Sequence, residues 1–268
     1  MKMLNVACGS RYHKDWINID FYADSKNIKR VNILKGLPFK NNSFDIVYSS
    51  HFFEHLSLHN AKYILKEIHR ILKQDGIIRI VVPDLENICR EYLKILENIE
   101  DGKDYQKKYD WIVIELLDQM IRSESGGEMG KIYANPSVVK NESLKKYILK
   151  RVGVDLPIIK RNDYKRKISS ALILNKIISI YTQMIKLLVP KKMRELVFIN
   201  ASIGEMHKWM YDKYSLTKLL CDMNFIDIEI KDYNKSRIAD FNQYFLDIKK
   251  DGTSYKGDSS LYIEAIKP

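Results

Sequence analysis

Residues 3–10 read MLNVACGS, an apolar run that ends in a stretch of small residues. A short apolar run bounded by a glycine is typical of a buried strand that enters a tight turn. Gly9 lacks a Cβ atom, so the backbone of this turn can adopt unusual conformations and approach a ligand closely. A second run, WINID at 16–20, has the same character and ends on an acid. The two runs predict a buried parallel sheet, in which continuous apolar strands are usual.

Strand and helix patterns alternate through the first third of the chain. Further short apolar runs predict strands at 31–33, 44–49 and 77–82. Apolar residues between Ala61 and Leu72 recur at helical spacing, and Gly76 is predicted to end that helix. Strands that alternate with helices predict an α/β fold with a mostly parallel sheet.

The middle of the chain has a helical character. Helical patterns cover residues 85–99, 105–122, 143–151 and 168–189. Strand patterns return at 225–231 and 261–267, after a helical pattern at 216–223. We therefore predict a core of residues 1–86 plus 211–268, and a helical insertion, 87–210, that caps the sheet.

The positive charge is concentrated in one segment. The net charge is +11, and residues 140–195 hold 15 Lys and Arg against four acids, so the remainder is neutral. Such a segment suits the phosphates of a nucleic acid, of a nucleotide-activated substrate or of a membrane surface, and a solvated helical face is the alternative. The three cysteines are scattered, and neither a secretory signal nor a run of about 18 apolar residues is present. These features predict a soluble, cytoplasmic protein.

Five motifs in this order resemble those of the class I methyltransferases. They are LNVACGS at 4–10, NID at 18–20, LPF and SFDIV within 37–47, SSHFFEH at 49–55, and LKEIHRILK at 65–73, which is followed by DG and VVPD. The resemblance implies a Rossmann-like, seven-stranded, mostly parallel sheet whose last strand is antiparallel. It also implies S-adenosyl-L-methionine as the cofactor and places most of the acceptor pocket in the insertion.

The resemblance assigns the cofactor to residues that follow the strands. These are Ala7, Cys8, Gly9, Ser10, Asp20, Phe21, Asn32, Ile33, Ser49, Ser50 and His51. Asp20 would hold the ribose, Asn32 would lie near the adenine, and 49–51 would flank the methionine and the sulfonium. Asp20 lies only 11 positions after Gly9, so the helix between them is predicted to be very short or absent.

A narrower resemblance is to bacterial methyltransferases of capsule and other surface-polysaccharide synthesis. It rests on GEMHKWMY at 204–211 with YSL at 214–216, on SRIADF at 236–241 and on SSLYIEA at 259–265. It implies a small-molecule or glycan-precursor acceptor: a sugar, a nucleotide sugar or a phosphorus-modified precursor such as a phosphoramidate.

Three histidines are the catalytic candidates. A hydroxyl acceptor benefits from a general base, and the pKa of histidine lies near neutrality. His51 and His55 follow the fourth predicted strand, next to the expected methyl position, and His51 is the first choice. His207, predicted on a helix that opens near Gly204 and Glu205, is the second choice. A purely structural role for each histidine is the alternative.

Several other functions stay open at this level. His51, Glu54 and His55 match the HxxEH pattern of a zinc peptidase, but the surrounding motifs favour methyl transfer, and the sequence predicts no metal site. An RNA methyltransferase could use residues 140–195, although no RNA-binding motif accompanies them, which argues against nucleic acid as partner. Residues 168–189 could contact a membrane surface peripherally or a second copy in a homodimer.

Overall fold

The strands of the sheet are the apolar runs, whose side chains need burial on both faces. The computed structural model describes residues 1–23, 25–157, 180–181, 184–185, 188–190 and 205–268. The strands are β1 (Met3–Val6), β2 (Ile17–Asp20), β3 (Ile28–Arg30), β4 (Phe44–Ser50), β5 (Leu72–Pro83), β6 (Ile226–Lys231) and β7 (Ser260–Ile266).

Within the described residues the strands form one seven-stranded sheet in the order β3-β2-β1-β4-β5-β7-β6. β7 runs antiparallel to both neighbours, and the other pairings are parallel. The predicted Rossmann-like sheet with an antiparallel last strand is therefore confirmed. The strand order reverses between β1 and β4, and ligands of open α/β sheets bind at the carboxyl ends of the strands beside such a point.

Each face of the sheet has its own apolar cover. On one face lie α1 (Leu58–Ile71) and α7 (Lys213–Asp222), which bury their apolar stripes in the main core. Ser57 caps the start of α1, where its hydroxyl accepts a hydrogen bond from the backbone N–H of Asn60. On the other face, Trp16 and Tyr48 pack against Phe241 from the segment between β6 and β7. This segment also supplies part of the wall of the site.

The insertion builds a small core of its own. Its helices within residues 85–157 are α2 (Leu85–Glu97), α3 (Lys103–Ile121), α4 (Gly127–Ala134), α5 (Pro136–Val139) and α6 (Glu142–Val152). Trp111, Met129, Leu144 and Ile148 pack together between these helices. The helix predicted at 168–189 lies mostly outside the described residues. None of the described helices is long and apolar enough to cross a bilayer.

Three local predictions can be compared with the structure. The strand predicted at 31–33 is wrong: β3 is Ile28–Arg30, and Ile33 begins a short 3₁₀ helix. Gly76 does not end α1, which stops at Ile71, and it lies within β5 instead. The chain between β1 and β2 contains no helix, as the short spacing predicted.

Two glycines allow the end of α6 to touch the loop before β7. Gly153 and Gly257 both have positive φ, +71° and +74°. A Cβ atom on Gly153 would lie 2.3 Å from the Tyr255 carbonyl oxygen, and one on Gly257 would lie 2.4 Å from the Arg151 carbonyl oxygen. Ser259 donates to that same Arg151 oxygen from its N–H and its hydroxyl, at 3.0 and 2.7 Å. This backbone contact fixes the insertion against the core beside the site.

Gly257→Ala is expected to destabilise the protein far more than Gly252→Ala. Gly252 also has positive φ, +80°, but a Cβ atom there would meet nothing within 4 Å. Both substitutions strain the backbone, and only Gly257→Ala adds a clash with main chain, which we expect to cost a further 1–3 kcal/mol, roughly the cost of overpacking. Urea unfolding followed by circular dichroism would measure both free energies. Equal values would show that the close approach does not constrain the fold.

Candidate active site

The backbone is strained where β1 and β4 end. Ala7, Gly9 and His51 all have φ near +50°, a region that non-glycine residues seldom adopt. The His51 N–H donates to the Val81 carbonyl at 2.8 Å, which holds this turn against β5. Strain of this kind concentrates at ligand sites, where the surrounding structure maintains it.

A cavity of about 200 Å³ opens between these two strand ends. It is lined by Asn5, Ala7, Cys8, Gly9, Ser10, Arg11, Tyr48, Ser50, His51, Leu246, Tyr255 and Lys256. Six of the predicted cofactor residues therefore line this cavity: Ala7, Cys8, Gly9, Ser10, Ser50 and His51. Burial raises the pKa of the Cys8 thiol to about 12, so this side chain lines the cavity as a neutral group.

Asp20 orders the Gly9 turn from the neighbouring strand. One carboxylate oxygen accepts the Gly9 N–H at 2.8 Å, and the other accepts the Tyr22 N–H at 3.0 Å. Each carboxylate oxygen has a second lone pair, so the group can still accept hydrogen bonds from a ligand. The short segment between β1 and β2 therefore still brings the acid to the glycine.

The other predicted cofactor residues lie away from this cavity. Phe21 and Asn32 are exposed along the strand ends beyond Asp20. Ile33 is buried in the main core, and the Ser49 hydroxyl is buried and donates to the Val6 carbonyl at 3.2 Å. The side chains of Ile33 and Ser49 therefore support the sheet and do not reach the cavity.

A second cavity, of about 170 Å³, lies between the core and the insertion. It is lined by His51, Pro83, Ile88, Glu115, Gln119, Met129, Tyr133, Val152, Val154, His207, Met210, Lys256 and Ser259. Most of these residues come from the helices of the insertion or directly follow them. His51 and Lys256 line both cavities, so the two spaces meet at these side chains.

An ion pair supports the insertion side of the second cavity. The Glu115 carboxylate accepts hydrogen bonds from the Arg151 guanidinium at 2.7 and 3.1 Å and from the Trp111 indole N–H at 2.9 Å. Arg151 also donates to the Asn87 side chain at 2.6 Å. Among the described residues, these hydrogen bonds join Glu115 to both α3 and α6 and hold its carboxylate in place.

His51 lies between a carboxylate and a hydroxyl. Its Nδ1 is 3.4 Å from Oε1 of Glu54, and its Nε2 is 3.1 Å from the Ser260 hydroxyl. Burial lowers the pKa of His51 well below its usual value, so the imidazole is neutral. Burial raises the pKa of Glu54 to about 8. The motif from His51 to His55 does not form an α-helix, because His51 has a left-handed backbone and a 3₁₀ turn follows.

His207 reaches the second cavity from a turn. The helix predicted near Gly204 and Glu205 is not present among residues 205–210, and Glu205 instead accepts hydrogen bonds from Ser125 and from the N–H of Gly126. The His207 ring is 3% exposed and lies edge-on to His55, with ring centroids 4.8 Å apart. Burial lowers the pKa of His207 to about 3.

Sequence reasoning missed two residues of the site, Lys256 and Glu115. Lys256 lies in a polar loop without a recognisable motif, and burial lowers the pKa of its amine. Glu115 lies in the run WIVIELL of α3, which matches no motif of a functional site. A weak signal for Lys256 was the neighbouring Gly257, which marks a special backbone conformation.

Comparisons with known proteins agree with this geometry. Residues 5–80 match the family described as "Methyltransferase domain". A relative, the uncharacterized protein MJ1252 of Methanocaldococcus jannaschii, is 34% identical over 121 residues, which are 44% of this chain and 46% of the relative. The chain therefore matches less than half the length of that relative.

Two solved structures that resemble this chain share little sequence identity with it. A SAM-dependent methyltransferase from Thermotoga maritima, described as a possible histamine N-methyltransferase, is 12% identical, and the match covers 100% of this chain and 82% of the other, with a TM-score of 0.41. A SAM-dependent methyltransferase from Archaeoglobus fulgidus is 14% identical, and the match covers 99% and 86% of the chains, with a TM-score of 0.39.

The sheet order is that of a Rossmann-like α/β fold, and residues 5–80 match a methyltransferase-domain family. The cofactor that this match implies is S-adenosyl-L-methionine. The residues present fit that group. Gly9 faces open space into which a Cβ would project, and the Asp20 carboxylate keeps lone pairs for hydroxyl groups.

Proposed function

We propose that this protein transfers the methyl group of S-adenosylmethionine to an oxygen atom of a sugar, a nucleotide sugar or a phosphorus-modified glycan precursor, such as a phosphoramidate. The proposed setting is the synthesis of capsular or other surface polysaccharide. The main support is the junction of the two cavities at His51 and Lys256. One cavity adjoins the Gly9 turn, and the other opens between core and insertion, so a cofactor and an acceptor could meet there.

The lining of the second cavity supports a small polar acceptor. Its polar groups include Glu115, Gln119, His207, Lys256 and Ser259, which alternate with apolar side chains. Convergent polar groups in a cavity that also has apolar walls are typical of small-molecule sites. A Lys amine and a Ser hydroxyl can donate to phosphate or sugar oxygens. The resemblance of residues 204–211 and 259–265 to polysaccharide methyltransferases agrees with such an acceptor.

In the proposed reaction, different side chains bind the cofactor, accept the proton and orient the acceptor. S-adenosylmethionine supplies, when bound, a methyl group activated by the positive sulfonium. Residues 7–10 and Asp20 would hold it, with Phe21 and Asn32 further along the strand ends. His51 would take the proton of the acceptor hydroxyl, with Glu54 facing its other ring nitrogen. The insertion would orient the acceptor and exclude water, which is the larger part of catalysis for an activated donor.

Asp20→Ala is expected to weaken the binding of S-adenosylhomocysteine about 10–100-fold, because it removes a charged acceptor of hydrogen bonds and releases the Gly9 turn. Isothermal titration calorimetry measures the two affinities. Asp15→Ala is the matched control, since Asp15 is an exposed acid of the same loop. Equal affinity in Asp20→Ala would remove Asp20 from the cofactor site. Failure of the wild-type protein to bind S-adenosylhomocysteine would contradict methyl transfer itself.

The acceptor can be tested by the release of S-adenosylhomocysteine in the presence of nucleotide sugars and phosphorylated glycan precursors. Turnover that saturates with one of them would support the proposal. Methylation of RNA and of no small molecule would favour the alternative instead. The basic segment on which the RNA alternative depends, residues 140–195, lies mostly outside the described residues, and the described residues give no observation that favours RNA.

The cellular setting and assembly are also proposals. We place the protein in the cytoplasm, where its three cysteines, which are free thiols, would stay reduced. In the described part of 168–189, Ile180, Tyr181, Met184 and Leu188 are exposed. These apolar side chains are compatible with a peripheral membrane contact or a homodimer, and analytical ultracentrifugation with and without anionic vesicles would distinguish them.

A further inference from the structure

A buried carboxylate behind His51 lacks hydrogen-bond partners. Glu54 is 0% exposed, and among the described residues neither of its oxygens accepts a hydrogen bond. The Nδ1 atom of His51 approaches one oxygen at 3.4 Å without forming such a bond. An ionised carboxylate buried without compensation costs several kcal/mol, roughly the penalty that drives such groups to pair with a cation. A cation bound beside Glu54 would offset this penalty for the ionised form.

Two further imidazoles, those of His55 and His207, lie near this carboxylate, and the contacts of His55 show which of its ring nitrogens has the free lone pair. Nδ1 of His55 lies 2.9 Å from the carbonyl oxygen of Met206, which can only accept, so Nδ1 carries the hydrogen. Nε2 of His55 therefore presents a lone pair, and it lies 3.9 Å from Oε1 of Glu54. Metal-binding histidines have this arrangement, in which the second ring nitrogen donates to a backbone carbonyl. His207 completes the group beside His55.

The backbone holds the three side chains together across the chain. The N–H groups of Lys208 and Trp209 donate to the Glu54 carbonyl at 2.7 and 3.1 Å. The His207 N–H donates to the carbonyl of Gln119 in α3 at 2.8 Å. The turn at 205–210 is thus fixed to the turn that follows β4, and one donor atom from each residue lies within 4.8 Å of the others.

We propose that Glu54, His55 and His207 bind one divalent transition-metal ion of the kind represented by Zn²⁺. Two imidazole nitrogens and one carboxylate oxygen are a ligand set that zinc and its neighbours accept, and three protein ligands leave a position open. Metal–ligand distances of about 2.0–2.2 Å require donors roughly 3.3 Å apart, so the widest pair must close by about 1.5 Å through side-chain rotation. The open position would face the second cavity, which His207 lines.

This site differs from the zinc-peptidase pattern in the sequence. That pattern would use His51 and His55 on one helix, whereas here His207, which lies 152 residues after His55, takes the second imidazole position. The competing explanation is that Lys256 balances Glu54, since its charge also acts on this carboxylate. A metal-binding measurement separates the two, and it does not depend on whether the protein transfers methyl groups.

The test uses the full chain without an affinity histidine tag, stripped of metal by a chelator and dialysed. Calorimetric titration with Zn²⁺ alone is expected to show one equivalent bound with a Kd below about 1 µM. Titration with Co²⁺ is expected to produce visible absorption bands of a nitrogen- and oxygen-ligated ion. His207→Ala and His55→Gln are each expected to weaken binding about 100-fold or more. His59→Ala, in which an exposed histidine of α1 is lost, is expected to bind as the wild type does.

Because His207 is buried, its variant is compared only if its circular dichroism matches that of the wild type. Glu54→Gln provides a further test, since it removes the carboxylate charge with little change in volume. The proposal is overturned if the wild-type protein binds no stoichiometric Zn²⁺. It is equally overturned if His55→Gln and Glu54→Gln bind Zn²⁺ as tightly as His59→Ala does.

Discussion

His51→Asn is expected to lower the turnover number about 10²–10⁴-fold, the usual contribution of a general base, while the affinity for S-adenosylhomocysteine changes little. His51 lies where the two cavities meet, with Nδ1 facing Glu54 and Nε2 facing the Ser260 hydroxyl. Asparagine is the appropriate replacement because it tolerates the positive φ of this position better than most residues do. It cannot, however, take up a proton.

The measurement is steady-state turnover with the best acceptor from the nucleotide-sugar screen, together with calorimetric binding of S-adenosylhomocysteine. His59→Asn is the control for the loss of an exposed histidine. Unchanged turnover in His51→Asn would remove His51 from the chemistry. A parallel loss of turnover and of cofactor affinity would show that His51 acts by packing against the cofactor.

Arg79→Met is expected to destabilise the protein by about 3–5 kcal/mol, the range observed when one partner of a buried ion pair is removed. Arg79 is fully buried in β5, where Nε donates to Asp247 and Nη1 donates to Glu264, both at 2.7 Å. Methionine fills much of the same volume but leaves these two carboxylates buried without their cation. The Phe241 ring also lies over the guanidinium, with its centroid 4.9 Å away.

The same network positions part of the site. Tyr48 donates to Asp247 at 2.5 Å, and the neighbouring residue Leu246 lines the first cavity. Loss of Arg79 should therefore also weaken the binding of S-adenosylhomocysteine. Urea denaturation measures the free energy of unfolding, and Arg90→Met is the control. Arg90 pairs with Glu86 on the surface, where ion pairs contribute little.

The outcome that would contradict this argument is an equal denaturation midpoint for Arg79→Met and Arg90→Met. A further variant, Arg79→Met combined with Asp247→Asn and Glu264→Gln, should recover part of the lost stability. It removes the two negative charges that the single substitution leaves unpaired. No recovery would mean that the guanidinium stabilises the fold mainly through its other contacts.

Much of the fold was predictable because the relevant patterns are local. The apolar run before Gly9, the helical spacing in α1 and the β-branched run in β5 each specify an element within a dozen residues. The strand predicted at 31–33 was wrong because three residues carry too little pattern. Pairing with β2 instead selected Ile28–Arg30, and Val31 and Ile33 are buried without belonging to a strand.

The sequence by itself determined the sheet, the Gly9 turn, and the placement of Asp20 at the end of β2 and of His51 directly after β4. Parallel strands end at one edge, so motifs that follow strands meet there whatever lies between them. Only the tertiary structure decided that Lys256 and His207 reach the same place, because loop and insertion packing carry no periodic signal. The tertiary structure also shows that Glu54, which in the sequence is only part of the HxxEH pattern, is a buried carboxylate next to imidazoles. The sequence could not show this, because burial depends on what packs around a residue.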